Sequence, residues 1–246
     1  MSEVSVSTGS GGFTLDGRVV DAGRPVEWLK RGWEAFTKNP GVWIAVTLIA
    51  GVIMIILAVA LHVIGQLVAQ FLGILFVAGL LLGAKSLAEG GELRVDHLFA
   101  GFKQNTNNLL VLGVFYLIGC AVVIGAMFLI GGGAAVSGAM VGHMAGAGLA
   151  LGGMLLGFLV GLALTVPLAM AIWFAPALVV FRNVAPLDAM KSSFNVCLKN
   201  LVPFLVYGVI LFVLFFVAAI PFGLGFLVLM PVLVGAQYAS YVDLYE

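Results

Sequence analysis

Ser137 and His143 are a pair of side chains whose types suggest covalent catalysis. A serine nucleophile with a histidine base is the pairing that an intramembrane serine protease would need. The two residues lie six positions apart, and six positions along a helix turn about 600°. At that spacing the side chains project from different faces, beyond hydrogen-bond reach of each other. The spacing therefore argues against nucleophilic catalysis by this pair.

Side chains that bind metals or phosphates are also few and scattered. The chain has three histidines and two cysteines, Cys120 and Cys197, and together they form no recognisable ligand set. The glycine-rich residues 131–133 follow no predicted strand and precede no Walker-type lysine, so they do not fit a phosphate-binding loop. The sequence predicts no catalytic residue, no metal and no cofactor, and hence a protein that is not an enzyme.

The composition of the whole chain is that of a membrane protein. Of its 246 residues, 63% are hydrophobic and 9% are charged, against roughly half and a quarter in an ordinary soluble domain. Eleven basic residues balance eleven acidic ones, so no basic excess attracts nucleic acid. These values exclude a soluble enzyme, a nucleic-acid-binding protein, a disordered chain and a disulfide-stabilised scaffold. They predict an all-α integral membrane protein.

The positions of the charges predict the number of membrane crossings. Residues 39–84, 104–181 and 200–242 contain no Asp, Glu, Lys or Arg, and a spanning helix needs about 20 apolar residues. All basic residues lie outside these runs, and basic residues that flank spans stay on the cytoplasmic side. Each run therefore crosses an even number of times, as one helical hairpin. The prediction is six transmembrane helices with both termini in the cytoplasm, at 41–62, 66–84, 108–130, 154–180, 201–220 and 225–242.

The predicted spans lack the charged groups on which many transporters depend. Proton relays and ion-coupled carriers usually bury Asp, Glu, Lys or Arg within the membrane, so their lack weakens the case for ion-coupled transport. Pro167 and Pro176 are predicted to bend the fourth span, and a broken helix can bind ions through its carbonyl groups. Transport therefore stays open as an alternative.

Three polar segments resemble one another, and each lies directly before a predicted hairpin. In residues 27–39, 96–108 and 188–200, an acidic residue opens the segment, a small residue and then an aromatic one follow, and an asparagine closes it. We call these the collar segments. With the hairpins they predict three repeats, at about 25–86, 94–182 and 186–243. The repeats form a single six-helix membrane domain over 25–246, after a flexible cytoplasmic tail at 1–24.

Each collar segment is predicted to form an amphipathic helix in the plane of the headgroups. In the first, Val26, Leu29, Trp33 and Phe36 follow helical spacing, with charged residues on the other side. Aromatic side chains suit this depth, and the predicted interfacial anchors are Trp28, Trp33, Trp43, Phe102 and Phe194. Such helices either anchor and orient the hairpins or offer a docking surface for a partner or for lipid headgroups.

The second repeat carries a glycine-rich insertion, residues 131–153, at its outer and predicted periplasmic turn. The first two collar segments begin 69 residues apart and the last two 92 apart, and the 23-residue insertion accounts for the difference. Small residues at four-residue spacing let spanning helices approach closely. The predicted helix-packing residues are Gly138, Gly142, Gly146, Gly153, Gly157 and Gly161. A loop, an interfacial helix and a re-entrant segment that packs on another chain all stay open.

Two stretches carry a resemblance to known proteins. Residues 174–194 read FAPALVVFRNVAPLDAMKSSF and continue to Lys199 and Asn200, and residues 18–24 read RVVDAGR before the first collar segment. They resemble a family of uncharacterised proteobacterial inner-membrane proteins and, more distantly, the membrane domain found with some glycerophosphodiester phosphodiesterases. The resemblance implies a six-helix domain in a bacterial inner membrane. The catalytic barrel of those enzymes has no counterpart in this sequence, so no phosphodiesterase activity is carried over.

The sequence thus predicts a multi-pass protein of the bacterial inner membrane. Its expected role is that of a non-enzymatic component that assembles with itself or with membrane partners. The alternative is a carrier or lipid-handling protein that uses a cleft between the repeats, predicted near Pro167 and Pro176. The expected partners are the lipid bilayer and either a second copy or another membrane protein, and no nucleic acid.

Overall fold

A computed structural model describes residues 12–141 and 143–246, and the regular structure of these residues is helical. A 3-10 helix, Val95–Phe102, precedes the third α-helix, and a short π-helix, Phe128–Gly132, follows it. The α-helices of the described residues are α1 Arg24–Lys38, α2 Pro40–Ala88, α3 Thr106–Met127, α4 Gly133–Val141, α5 His143–Trp173, α6 Ala175–Arg182, α7 Pro186–Lys199, α8 Leu201–Ala219 and α9 Phe226–Tyr245.

Six helical stretches within the described residues are long and apolar enough to cross a membrane, which confirms the predicted number. They are Pro40–His62, Ile64–Ala88, Thr106–Val141, Gly146–Arg182, Leu201–Ala219 and Phe226–Tyr245. Helices suit such sequences because a helix satisfies its own backbone polar groups in hydrocarbon. The third and fourth stretches, at 36 and 37 residues, are longer than predicted because the helices continue into the glycine-rich insertion.

Sharp local turns reverse the chain between the first two spans and between the last two. His62, with φ 46° and ψ −120°, interrupts α2 where the first predicted span ends. Gly65 permits this reversal, because a Cβ there would overlap the carbonyl oxygen of Leu57. The turn between α8 and α9 contains Phe222 and Gly223, which both have positive φ. Both reversals therefore need only a few non-helical residues.

The described chain divides into two compact units. The first consists of residues 12–51, Leu80–His97 and Asn195–Glu246, and the second of Val52–Gly79 and Leu98–Phe194. The first unit contains α1, α8, α9 and the two ends of α2. The second contains α3 to α6 and the turn within α2.

In the first unit, α1 packs along α9, and two glycines set the distance between them. A Cβ on Gly235 would lie 2.8 Å from the Cα of Gly32, and a Cβ on Gly32 would overlap the carbonyl oxygen of Val232. Glycine at both positions lets the two backbones approach this closely. Trp28 on α1 and Tyr241 on α9 are fully buried, so large aromatic side chains build the core of this unit.

The N-terminal residues that the structure describes are held by hydrogen bonds, whereas the sequence predicts a flexible tail over 1–24. The backbone N–H of Arg18 donates to the carbonyl oxygen of Leu244 at 2.8 Å, and that of Thr14 donates to Tyr245 at 3.2 Å. These bonds join the two ends of the chain, which is why local sequence does not reveal them. Residues 1–11 lie outside the described residues.

The second collar segment differs from the predicted amphipathic α-helix. It forms the 3-10 helix Val95–Phe102, and α3 already begins at Thr106. Asn105 has a left-handed conformation, with φ 53°, which asparagine tolerates better than most residues. This turn replaces the last part of the helix expected at 96–108. The first and third collar segments are α-helical, in α1 and α7.

The glycine-rich insertion, residues 131–153, is helical where the structure describes it. The π-helix Phe128–Gly132 leads from α3 into α4, and α5 begins directly after residue 142. Helices α4 and α5 pack against each other and so extend the hairpin of the second unit. Close packing offsets the low helix propensity of glycine. The described residues of the insertion therefore form helices that belong to this hairpin rather than an irregular loop.

Candidate functional site

Asp243 on α9 holds α1 in place within the first unit. The guanidinium of Arg24 donates from Nε to Oδ2 of Asp243 at 2.7 Å and from a second nitrogen to Oδ1. Such two-pronged ion pairs are strong and directional. The indole Nε1 of Trp28 donates to the same Oδ2 at 2.9 Å. The hydrogen bond to Asp243 raises the pKa of the Arg24 guanidinium above its usual value.

An open groove lies in the first unit between α1, the end of α2 and α9. Its volume is about 250 Å³. Helices α2 and α9 line it mainly with small and apolar residues, together with Tyr238. Helix α1 lines it with Arg31, Glu34 and Lys38, whose spacings of three and four place them on one helix face. The groove therefore combines an apolar wall with a row of alternating charges.

The three charged side chains of the groove differ in their partners. Nζ of Lys38 donates to the carbonyl oxygen of Leu87 at 3.2 Å, near the end of α2, where cations are favourable. Arg31 and Glu34 form no ion pair with each other or with any other residue in the described part of the chain. Both are exposed, so both can bind a ligand group of opposite charge.

Each collar segment packs a small residue against the second helix of a hairpin. Gly32 lies against α9, as described above. A Cβ on Gly101 would overlap the carbonyl oxygen of Leu75 in α2. Ser193 is fully buried, and its Oγ donates to the carbonyl oxygen of Met170 in α5 at 2.6 Å. The small residue before the aromatic one thus makes a close interhelical contact in all three segments.

An asparagine directly before the first helix of each hairpin donates to a distant backbone carbonyl. The bonds run from Asn39 to Leu93 at 3.3 Å, from Asn105 to Val179 at 2.9 Å and from Asn200 to Arg18 at 2.8 Å. The closing asparagine predicted for the second segment is instead Asn108, which donates to Asn183 at 3.4 Å. Asn105 takes the equivalent position because α3 begins at Thr106, before Asn108 rather than after it. The preference of asparagine for the position before a helix is the sequence signal for it.

The aromatic residues predicted as interfacial anchors fall into two groups. Trp28 and Trp43 are buried, and their indole N–H groups donate to acceptors within the first unit. An interfacial anchor keeps part of its indole in contact with water, and Trp28 and Trp43 do not, because protein acceptors take the place of water at their N–H groups. The prediction is therefore wrong for these two residues. Trp33 and Phe102 are exposed and Phe194 is half-buried, and their role as anchors at headgroup depth stays a prediction.

Helix α1 is amphipathic, but its buried face differs from the predicted one. Trp28, Gly32 and Phe36 are buried, whereas Val26 and Trp33, predicted on the apolar face, are exposed. The position of α9 decides which face is buried, and spacing within α1 does not reveal it. Val26 and Trp33 therefore form a second apolar side that α9 does not cover.

The predicted helix-packing glycines lie inside the hairpin of the second unit. A Cβ on Gly138 would overlap the carbonyl oxygen of Gly146, and a Cβ on Gly146 would overlap that of Gly138. Gly153, Gly157 and Gly161 make similarly close contacts with Ala134, Gly131 and Met127, respectively. Gly142 lies outside the described residues. These described glycines pack helices of the same chain together and are not available to a partner chain.

The two prolines predicted to bend the fourth span have different surroundings. Helix α5 runs through Pro167 without interruption, whereas Pro176 lies at the start of α6 after a bend at Phe174. The backbone N–H of Phe174 donates to Oγ of Ser193 at 2.9 Å, and the same Oγ donates to Met170. The serine hydroxyl thus replaces the helical bond between Phe174 and Met170, which explains the bend.

The serine considered for catalysis is engaged within its own helix. Oγ of Ser137 donates to the carbonyl oxygen of Gly133 at 2.9 Å, and the side chain of His143 lies outside the described residues. Among the residues that the structure describes, no three His, Cys, Asp or Glu could together hold a metal ion. The groove of the first unit, with Arg31, Glu34 and Lys38 along one wall, is the candidate ligand site.

The six apolar helical stretches define the chain as a multi-pass helical membrane protein. It belongs to the family described as a domain of unknown function, DUF7847, whose model matches residues 26–243. A protein of Burkholderia thailandensis named "probable inner membrane protein" is 29% identical over 223 residues, which cover 87% of this chain and 80% of that protein. No solved structure matches the chain. The resemblance to the membrane domain of glycerophosphodiester phosphodiesterases stays a prediction that these matches do not test.

Proposed function

We propose that the protein is a non-enzymatic component of the bacterial inner membrane that assembles with a second copy or with another membrane protein. The relative named a probable inner membrane protein supports the location. The observation that carries the assembly is the hairpin of the second unit, Thr106–Val141 and Gly146–Arg182, which is too long and too apolar for the bilayer alone.

The first helical stretch of this hairpin exceeds the thickness of a bilayer. Its 36 residues extend about 54 Å at about 1.5 Å per residue, whereas the hydrocarbon layer is about 30 Å thick. A tilt of about 40°, the upper end of the usual range, would still leave about 41 Å along the membrane normal. Polar residues such as Asn105 and Asn183 lie at the open end of the hairpin, where α3 begins and α6 ends. The opposite, closed end, where α4 packs on α5, therefore extends beyond the hydrocarbon.

The closed end of the hairpin is apolar and carries no charge. Residues 104–181 contain no Asp, Glu, Lys or Arg, and Val136, Met140 and Leu151 are 59%, 84% and 69% exposed. Exposed apolar surface costs about 25 cal/mol per Å² in water, and large patches of it mark interaction sites. A protein surface that covers these side chains removes that cost.

Extraction in a mild detergent at native expression level, followed by a mass measurement, tests the assembly. We expect a species heavier than the monomer. Met140→Glu combined with Leu151→Glu is expected to yield the monomer, because it places unpaired charges in the contact. Phe222→Glu is the matched control, since Phe222 is fully exposed in the turn between α8 and α9. Recovery of the wild-type protein only as a monomer would contradict the proposal.

We also propose that the chain consists of three repeats with the collar segments and both termini in the cytoplasm. The equivalent contacts of the collar segments support the repeat: each packs a small residue on the second helix of a hairpin and has an asparagine bonded to a carbonyl before the first. The charges support the orientation, because all Lys and Arg residues lie in 18–38, 85–103 and 182–199.

A lipid-handling role is the second candidate function, and the groove of the first unit favours it. Helix α1 belongs to the first proposed repeat and α9 to the third, so the groove lies between proposed repeats, but not near Pro167 and Pro176, where the sequence predicts the cleft. Its charged and apolar lining suits a molecule that is itself amphipathic.

A further inference from the structure

We propose that the groove between α1, the end of α2 and α9 binds the headgroup of an aminophospholipid, with the lipid phosphate at Arg31 and the lipid ammonium at Glu34. This inference rests on the second candidate function, for which it names the lipid class. It is independent of the assembly through the hairpin of the second unit.

The groove lies at the depth of lipid headgroups. Ala88 is the last residue of α2 and Val242 lies in the last turn of α9, and both line the groove. The ends of spanning helices lie at the boundary between hydrocarbon and water. The exposed Trp33 on α1 suits the same boundary. A ligand in the groove is therefore one that the membrane surface supplies.

The size of the groove fits a headgroup better than a whole lipid. At about 250 Å³ it is smaller than the roughly 300–1,000 Å³ of sites for drug-sized molecules. Small residues such as Ala84, Gly235 and Ala239 line it and leave room beside α1. We infer that the headgroup enters the groove while the acyl chains stay in the bilayer.

The charges of the groove match a headgroup that carries both signs. The Arg31 guanidinium has no ion-pair partner among the described residues and can donate two hydrogen bonds to a phosphate. The Glu34 carboxylate, one helical turn along, is equally without an ion-pair partner there and can accept from an ammonium. Phosphoethanolamine holds a phosphate and an ammonium two carbons apart, so it satisfies both side chains at once.

Glu34 favours this zwitterionic lipid over an anionic one. Its carboxylate lies between Arg31 and Lys38 on the same face of α1, and Nζ of Lys38 already donates to Leu87. A phosphatidylglycerol headgroup carries the same phosphate but no cation, so nothing in it offsets the repulsion between that phosphate and Glu34 in a partly apolar groove. An ammonium group turns the same contact into an attraction.

Titration of the purified full-length protein in detergent tests the proposal by native mass spectrometry. The probes are dioctanoyl phosphatidylethanolamine, dioctanoyl phosphatidylglycerol and soluble phosphoethanolamine. We expect one saturable site that prefers the phosphatidylethanolamine. Arg31→Gln should weaken binding of both lipids about tenfold, as expected for loss of a charge-assisted hydrogen bond. Glu34→Gln should weaken only the phosphatidylethanolamine, so the preference disappears.

Two matched variants control for the change in charge. Lys30→Gln and Glu27→Gln alter the same charges on exposed residues of α1 outside the groove, and each should leave both affinities unchanged within about twofold. If Arg31→Gln fails to fold, Arg31→Lys keeps the charge without the two-pronged geometry and should show an intermediate loss.

Three results would overturn the proposal. The first is phosphatidylglycerol binding as tightly as phosphatidylethanolamine to the wild-type protein. The second is a Glu34→Gln variant that keeps the preference. The third is soluble phosphoethanolamine binding as tightly as the lipid, which would make the ligand a free phosphoester. Glu34→Gln should leave the mass of the assembly unchanged, and Met140→Glu with Leu151→Glu should leave lipid binding unchanged, so the two proposals fail separately.

Discussion

Asp243 on α9 joins two residues of α1 through one carboxylate. It accepts hydrogen bonds from Arg24 near the start of α1 and from Trp28 one turn later, while it lies near the end of α9. These donors fix both the position and the rotation of α1 on α9. The rotation decides that Trp28 is buried and that Arg31, Glu34 and Lys38 line the groove. The groove therefore depends on a carboxylate that does not line it.

We expect Asp243→Ala to lower the free energy of unfolding by about 2–3 kcal/mol, because the N–H of Trp28 and the guanidinium of Arg24 lose their acceptor. The Asp243 side chain is 12% exposed and that of Arg24 is 36% exposed. Water solvates the freed guanidinium in part, so the cost stays below that of breaking a fully buried ion pair. Thermal unfolding of the purified protein in detergent measures the change.

Asp188→Ala is the control for this prediction. Its ion pair with Lys191 spans 3.8 Å, and both side chains are 64% exposed. Exposed pairs of this kind contribute about 0–1 kcal/mol, so the melting temperature should hardly change. An equal loss of stability in the two variants would show that the Asp243 contacts do not hold α1.

At the scale of elements, the break between α5 and α6 depends on a side chain from α7. Oγ of Ser193 accepts from the N–H of Phe174 and donates to the carbonyl of Met170, the two groups that an unbroken helix would join directly. Pro176 alone does not require the break at Phe174, since Pro167 lies in a continuous helix. The contact between α7 and the second hairpin helix thus sets where the helix bends.

Ser193→Ala is expected to expose the Phe174 amide to exchange. Without the hydroxyl, a buried N–H loses its acceptor at a cost of about 1–3 kcal/mol, and we expect its hydrogen exchange to become at least about tenfold faster. Ser137→Ala is the control, because that hydroxyl bonds only within its own helix. Unchanged exchange at Phe174 would mean that the helix has reformed its direct bond, and that Ser193 does not hold the bend.

The elements that follow from local chemistry could be predicted, and those that follow from distant contacts could not. The spans can be predicted from the uncharged runs because hydrocarbon excludes charge. Helix α1 can be predicted because its apolar residues follow helical spacing. The form of the insertion stays open from the sequence because glycine has a low helix propensity, whereas the packing of Gly138 on Gly146 favours the helices. The lining of the groove could not be predicted from the sequence, because Arg31 and Tyr238 line it together only after α9 has packed on α1.

At the scale of the whole molecule, the proposed topology makes the two ends of each hairpin chemically different. All of the basic residues lie in 18–38, 85–103 and 182–199, within or near the collar segments, and the closed ends carry none. In the proposed topology the basic segments face the cytoplasm and the closed ends of the hairpins face the outer side.

Labelling of single cysteines with a membrane-impermeant maleimide tests this arrangement. Cys197 is buried and would react poorly, so both native cysteines are first replaced by alanine. Met140→Cys then places a thiol on a side chain that is 84% exposed at the closed end, and Lys30→Cys places one on the exposed side of α1.

We expect intact cells to label Met140→Cys fully, and to label Lys30→Cys only after the membrane is permeabilised, because basic segments stay in the cytoplasm. The opposite pattern would invert the topology and move the groove to the outer leaflet. Labelling of both positions in intact cells would mean that the chain crosses the membrane an even number of times between residues 30 and 140. That result would contradict the proposed topology, in which three spans lie between these positions.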